Sequence, residues 1–387
     1  MQELVSIEAC SDYDIEAIEA ALGSCLERLG GIGAFVKPGQ KVILKPNLLS
    51  SYAPEKAVTT HPSIVEATAR LIQEAGANVI IADSPAAVIP FREVAMRRIY
   101  KTTGMMDAAE KAGAKLNWDF SYKEVPFPDG KLIKRFEIIS SVLDADVIIS
   151  LPKLKTHVLT AYTGAVKNLF GVIPGFFKPG YHVKLHILEQ FSQMLLDLLC
   201  LLKPTLTIMD GIVGLEGDGP GAGGSPKEIG VLLASSNLLA ADYVAGQIMG
   251  FKPEEIPLLR TAMKQSIIDD GNIKTSGPPI EELKLEDFKL PKLTQDRAAL
   301  LNLTPVKRLI YPYARSGLTL KPSPMKKLCT GCKICAESCA QKAITIVDKK
   351  AVIDDEKCIR CYCCHELCPE AAIELKQSLL ARVFQRL

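Results

Sequence analysis

The sequence predicts an α/β fold: a large, mostly parallel sheet domain covered by helices, followed by a small α+β unit rich in cysteine. Two observations predict it. Over residues 1–290, short aliphatic runs alternate with helical patterns, which sets parallel strands side by side with helices on both faces. Nine of the 12 cysteines then fall between Cys329 and Cys368, a concentration that core packing does not require. Residues 291–325, rich in Pro, Lys and Leu and ending in Lys321-Pro322-Ser323-Pro324, read as a connecting linker. The expected organisation is a domain at 1–290, the linker at 291–325, the cysteine-rich unit at 326–375 and a terminal helix at 376–387.

Lys41–Lys45, Val79–Ala82, Asp146–Ser150 and Leu206–Met209 are short aliphatic runs, as strands buried on both faces are. Segments 115–138 and 229–234 read as further strands. Pro62–Ala75 reads as a helix opened by His61-Pro62 and closed by Gly76. Arg92–Tyr100, Val183–Leu202, 237–250 and 254–267 carry helical patterns too. In a parallel sheet the carboxyl ends of the strands share one edge, where ligands bind. Polar clusters follow four such ends: Pro46-Asn47, Asp83-Ser84-Pro85, Leu151 to His157, and Asp210-Gly211. These are expected to converge on one cleft.

Composition narrows the function. The chain has 387 residues and a formal net charge of +2, with no basic run or aromatic array, so nucleic acid is not an expected partner. The most apolar stretch, Met194–Leu202, contains Asp197 and is far shorter than the roughly 20 residues of a membrane span. Met1–Cys10 carries acids and no long apolar run, so a cytoplasmic protein without a secretory leader is predicted. Leu379–Leu387 is amphipathic and reads as a docking helix. Cys10, Cys25 and Cys200 stand alone and read as small buried hydrophobes.

The clustered cysteines form two copies of one spacing, Cys329-x-x-Cys332-x-x-Cys335-x-x-x-Cys339 and Cys358-x-x-Cys361-x-x-Cys364-x-x-x-Cys368-Pro369. The 29-residue offset also aligns Glu337 with Glu366 and Ala343 with Ala372, so this is an internal duplication. Such a run binds a 4Fe–4S cluster with three thiolates and sends the fourth to the other cluster. One cluster would take Cys329, Cys332, Cys335 and Cys368; the other would take Cys358, Cys361, Cys364 and Cys339. A pair of zinc sites is the competing interpretation, but zinc uses separated pairs of ligands rather than runs of four. Residues 343–347 and 351–354 should form a hairpin between the copies. The tail resembles the bacterial two-cluster ferredoxins, except that Cys339-Ala340 stands where that family has Cys-Pro. Cys363, between two ligands, reads as a bystander. Residues 326–387 carry 11 basic and 8 acidic side chains, unlike the acidic free carriers, which favours electron transfer within the chain.

In the large region, Leu151 to Gly175 concentrates chemistry: Lys153, Lys155, Thr156, His157, Thr160, Thr163, Lys167 and Asn168. A helix starting at Thr160 would set Thr163-Gly164 and Lys167-Asn168 one turn apart. Lysines and histidine so arranged can hold an anion or move protons; a solvated basic loop is the bland alternative. His182 and His186, four apart, are better read as half-buried helix residues than as metal ligands. Gly211–Pro226 has seven glycines and matches a dinucleotide fingerprint only formally, because no helix follows; a mobile loop bearing Glu216 is the preferred reading. Lys45-Pro46-Asn47, Leu151 to His157, Thr163 to Asn168 and Glu216 to Pro220 resemble the family catalogued as domain of unknown function 362, across about residues 3–290. That resemblance implies a shared fold and cleft, in members that often carry a two-cluster ferredoxin tail and come from anaerobes. It supplies no substrate.

Together these readings predict an iron–sulfur oxidoreductase holding two 4Fe–4S clusters, with a small-molecule substrate or a redox partner protein. Lys153, Lys155, His157 and Lys167, partnered by Asp83, Asp210 and Glu216, are the candidate catalytic groups. Lys45, Asn47, Thr163 and Asn168 are candidate ligand-binding groups. An electron carrier without catalysis of its own, or a maturation factor for a cofactor or metal centre, remain alternatives.

Overall fold

The computed structural model describes residues 2–86, 89–185, 187–292 and 320–376. In chain order the strands of the large domain begin with β1 (Glu3–Ala9), β2 (Lys41–Pro46), β3 (Asn78–Ile81) and β4 (Lys115–Leu116). A separate hairpin follows, β5 (Tyr122–Pro126) with β6 (Arg135–Ile139). Then come β7 (Val147–Leu151), β8 (Lys153–His157), β9 (Ala161–Thr163), β10 (Leu206–Gly217), β11 (Gly224–Ser235) and β12 (Ile273–Ser276). Ten of these build one sheet in the order β12-β1-β11-β10-β7-β2-β3-β4, with β8 branching from β10 and β9 from β8.

The centre of the sheet is parallel, with Ile43 opposite both Ile80 and Ile148. Its far side is antiparallel through β10, β11 and β1. The α/β class and the mostly parallel sheet therefore hold. Val42, Ile43, Leu44 and Ile149 are fully buried, because helices cover both faces; each such side chain contributes about 1.5–3 kcal/mol of burial. The helix Pro62–Glu74 starts as predicted: Pro62 presets the first helical φ, and His61 Nδ1 accepts from Ser63 N at 3.3 Å.

Several expectations change. Val183–Leu202 is not one helix but two, Lys178–Lys184 and Leu188–Leu202. Asp197, which interrupts the apolar stretch of the second, accepts from the backbone N–H groups of Lys131, Leu132 and Ile133 at 3.0, 2.8 and 2.8 Å, pinning the β5–β6 turn. Thr160 does not open a helix. The chain runs through β8 and β9 instead, and helix geometry begins only at Ala165–Asn168. The glycine-rich segment is no mobile loop, since β10 and β11 stay paired, across one irregularity between Gly211 and Val213, up to Gly217 opposite Gly224. Cys10 and Cys25 are buried as expected, whereas Cys200 is exposed. His186 and the Leu379–Leu387 stretch lie outside the described residues, as does most of the linker.

The tail keeps its duplication in three dimensions. One-turn helices at Ile334–Glu337 and Cys363–Glu366 are preceded by left-handed residues Lys333 and Tyr362, with φ of 69° and 63°. The predicted hairpin is present as β14 (Ile344–Val347) with β15 (Lys350–Ile353), after β13 (Lys321–Pro324). Pro322, read as linker, lies in β13, which pairs with β16 (Ile373–Lys376) and so belongs structurally to the tail.

Candidate functional site

Because β7, β2 and β3 are neighbours, their carboxyl ends open on one edge of the sheet. Lys45, at the end of β2, is fully buried and donates to Asp83 Oδ1 at 2.7 Å, Asn168 Oδ1 at 3.1 Å and Pro46 O at 3.0 Å. Asp83, just past β3, spends its other oxygen on Leu48 N at 2.8 Å. Asn168 donates to Lys45 O and to Ser150 Oγ, tying β2, β7 and the Ala165–Asn168 helix together. Gly171 sits against this network: a Cβ there would collide with Asp83 Oδ1 and the Lys45 ammonium. Gly171→Ala should therefore destabilise the fold by about 1–3 kcal/mol, read as a lower urea midpoint. An unchanged midpoint would contradict this packing.

The network forms the floor of a cavity of about 620 Å³ including its mouth. Lys167, Lys178, Thr163, Ser84 and His182 line it, with Leu49, Ala86 and Phe170 as apolar wall. Burial pulls the Lys167 ammonium down to about 8 and that of Lys178 to about 7, and it holds His182 neutral, at about 3. Lys178 Nζ donates to Ser84 O at 2.8 Å and Pro85 O at 2.7 Å. The Thr163 and Ser84 hydroxyls are buried with no hydrogen-bond partner. Asp242 anchors the short helix that carries Lys167, accepting from Ala165 N at 2.5 Å, Val166 N at 3.1 Å and Tyr162 Oη at 3.2 Å.

Of the predicted residues, Lys45, Asn47, Asp83, Thr163, Lys167 and Asn168 line this cavity together. The others do not. Lys155 stands behind it, donating to Asn47 Oδ1 at 2.8 Å and Val58 O at 2.7 Å, with its ammonium held well below the usual lysine range by burial and then by Lys167. Lys153 and Asp210 form a separate buried pair at 2.8 Å, joined by Tyr13, whose hydroxyl donates to Asp210 Oδ1 at 2.9 Å and accepts from Lys153 at 2.7 Å. Tyr13 also stacks on His61 at 3.6 Å. Glu216 is turned away as well, taking Lys289 N at 3.0 Å and Lys289 Nζ at 3.1 Å.

The last wall of the cavity comes from the tail, through Cys363, Glu366 and Leu367. Motif reading did not place these residues in the site, nor Lys178 and His182, whereas Ser84 belongs to the Asp83-Ser84-Pro85 cluster expected at the cleft. His157 Nε2 lies 3.4 Å from Glu366 Oε1. His157 Nδ1 accepts from Leu159 N at 3.1 Å, so the proton of the neutral ring sits on Nε2 and faces the carboxylate. Burial and the Lys167 charge hold the His157 ring well below its usual range. The tip of the β10–β11 hairpin meets the same face: Asp218 O is 2.9 Å from His365 Nε2, and Gly221 and Gly223 leave room for Glu366 O and the His365 ring.

Within the tail, one cavity is lined by Cys329, Cys332, Cys335 and Cys368, and a second by Cys339, Cys358, Cys361 and Cys364. Counting the motif cysteines alone, each set takes three from one repeat and the fourth from the other, and Cys363 borders the second cavity as a fifth thiol. Backbone N–H groups point at the thiols in repeat-related pairs: Ala343 N to Cys339 Sγ at 3.2 Å and Ala372 N to Cys368 Sγ at 3.1 Å. Among the described residues, no three His, Cys, Asp or Glu side chains converge tightly enough to hold one metal ion. Cys363 and His182 line both the second cysteine cavity and the lysine-rich cavity.

The chain is 34% identical over 303 residues to the thylakoid-associated protein sll1697 of Synechocystis, covering 76% of this chain and 89% of that protein. It is also 46% identical over 48 residues to a component of the ion-translocating oxidoreductase complex of Methanosarcina acetivorans, which is 12% of this chain and 18% of the relative. The lactate racemase apoprotein from Thermoanaerobacterium thermosaccharolyticum overlaps at a TM-score of 0.39 and 12% identity, covering 64% of this chain and 57% of that one, too loosely to bear on mechanism. No helix among the described residues is long and apolar enough to cross a membrane. The model of the family described as Domain of unknown function (DUF362) matches residues 42–247, a stretch holding every wall of the lysine-rich cavity except the tail's, and the chain belongs to that family.

Proposed function

We propose that this protein is an iron–sulfur oxidoreductase whose tail holds two 4Fe–4S clusters and whose large domain binds a small substrate in the lysine-rich cavity. The observation that carries the reading is the shared wall: Cys363 and His182 border both the cavity of the second cysteine set and the substrate cavity. The cysteine sets fit clusters better than zinc. A zinc site needs four ligands about 2.3 Å from one point, whereas these thiols surround cavities without converging on any single ion position. Cys329, Cys332, Cys335 and Cys368 would hold one cluster, and Cys339, Cys358, Cys361 and Cys364 the other. When bound, such clusters supply single electrons at low potential.

The chain's own residues supply the rest. Ala343 N and Ala372 N donate to Cys339 Sγ and Cys368 Sγ, hydrogen bonds to sulfur of the kind that tune a cluster's potential. Cys335 and Cys368 are buried but Cys332 is exposed, so the first cysteine set reaches the surface at that one residue, where a redox partner would dock. Lys167 and Lys178, pulled down to about 8 and about 7, hold protons they can release near neutral pH to a substrate that has gained electrons. His157 Nε2 lies 3.4 Å from Glu366 Oε1, and that oxygen has no hydrogen-bond partner among the described residues, so the carboxylate brings an unused acceptor to the cavity wall. Lys153, Asp210 and Glu216 have supporting roles.

Anaerobic purification followed by iron and sulfide analysis tests this. About eight irons and eight sulfides per chain are expected, with an electron paramagnetic resonance signal on reduction. Zinc in stoichiometric amount, or no iron, would overturn the proposal.

A further inference from the structure

We infer that the lysine-rich cavity is built for a small monocarboxylate, held by the ammonium groups of Lys167 and Lys178 and the hydroxyls of Thr163 and Ser84. The inference rests on the reading of that cavity as the substrate site, and it names the class of substrate.

The donors left over inside the cavity set the class. Lys45 is committed to Asp83, Asn168 and a backbone carbonyl. Lys178 uses two of its three protons on the carbonyls of Ser84 and Pro85, which leaves one. Lys167 Nζ makes no hydrogen bond among the described residues, although it lines the cavity. Thr163 and Ser84 are each 2% exposed, and their hydroxyls have no partner. Buried polar groups without partners are uncommon in folded proteins, so a ligand bearing acceptor oxygens suits these four groups, while Glu366 Oε1, the unpaired acceptor on the same wall, leaves room for a donor on that ligand.

Charge then separates a carboxylate from a phosphate. With Lys167 and Lys178 protonated and Glu366 ionised, Lys45, Lys167 and Lys178 line the cavity against Asp83 and Glu366, an excess of one positive charge. A monoanion balances that excess, while a dianion would bury an uncompensated negative charge. The remaining wall, from Leu49, Ala86, Phe170 and Leu367, is apolar and suits a short hydrocarbon end.

Isothermal titration of the full-length, anaerobically purified chain with propionate and, separately, with inorganic phosphate tests the inference without requiring any electron transfer. Saturable binding of one propionate per chain is expected, with phosphate roughly tenfold weaker or absent. Lys167→Met should weaken propionate by a similar factor, and Thr163→Val by several-fold, with circular dichroism checking that each variant is folded. If Lys167→Met does not fold, the native chain still decides. Its affinity for propionate should fall as pH rises through about 7 and about 8, because only the protonated lysines attract the anion. Phosphate bound as tightly as propionate, no heat with either, or a pH-independent affinity would each overturn the inference. None of those results alters the iron count, so loss of this inference and loss of the iron–sulfur reading are separable.

Discussion

Cys339→Ser should cost the chain the same cluster as Cys358→Ser, although the two residues lie in different repeats. Each variant is expected to retain roughly four of eight irons, and the double variant should retain the same roughly four. Pairing Cys339→Ser with Cys335→Ser, its neighbour in sequence, should instead remove nearly all of the iron. The reason is the cysteine cavities, where Cys339 stands with Cys358, Cys361 and Cys364 while Cys368 joins the first repeat. Iron analysis of these variants and of Cys335→Ser alone, after identical anaerobic reconstitution, decides the matter. If Cys339→Ser and Cys335→Ser together lost no more than either alone, each repeat would bind its own cluster and the crossed arrangement would be wrong.

Asp210→Ala should be among the most destabilising single substitutions in the large domain, by about 3–5 kcal/mol. The carboxylate is fully buried and receives Lys153 Nζ, the Tyr13 hydroxyl and His61 N at 2.8–2.9 Å. Its removal strands a buried ammonium whose charge nothing else neutralises. Lys153 is already pulled down by burial, and Asp210 is what opposes that pull. Replacing both partners together, as Lys153→Met with Asp210→Leu, should recover most of the loss. Guanidinium unfolding of the single and double variants measures both effects. A folded Asp210→Ala protein of native stability that had lost only activity would return Asp210 to the catalytic role its sequence position suggests.

That contrast marks where sequence reading succeeds and where it stops. Val42 to Leu44 and Val147 to Leu151 declare themselves as buried parallel strands, because a strand covered on both faces has no polar alternation. The cysteine spacing is equally legible, since ligand geometry acts over three or four residues. Lys45, Asn47, Asp83, Thr163, Lys167 and Asn168 were reachable because each lies at or just past a strand end or on the short helix that follows β9. Lys178 and Glu366 were not: their surroundings come from segments far away in the chain, and no local pattern encodes them. Lys153, Asp210 and Glu216 look catalytic in sequence for the same reason, as a buried ion pair and a substrate-binding pair use the same residue types. The glycines of 211–226 misled because they serve close contact, with Leu154 against Gly214 and with the tail against Gly221 and Gly223, rather than loop mobility.

The two halves of the tail began as copies, yet they no longer meet the same surroundings. Glu337 is exposed, while Glu366, its counterpart, is buried against His157. Ile334 corresponds likewise to Cys363, which borders the lysine-rich cavity. Natural selection therefore acts unequally on a symmetric inheritance. The first copy answers to its cysteines and its own small core, where Ser338, Ala343 and Ile344 are buried, whereas the second answers also to the large domain's cavity, through Cys363 and Glu366.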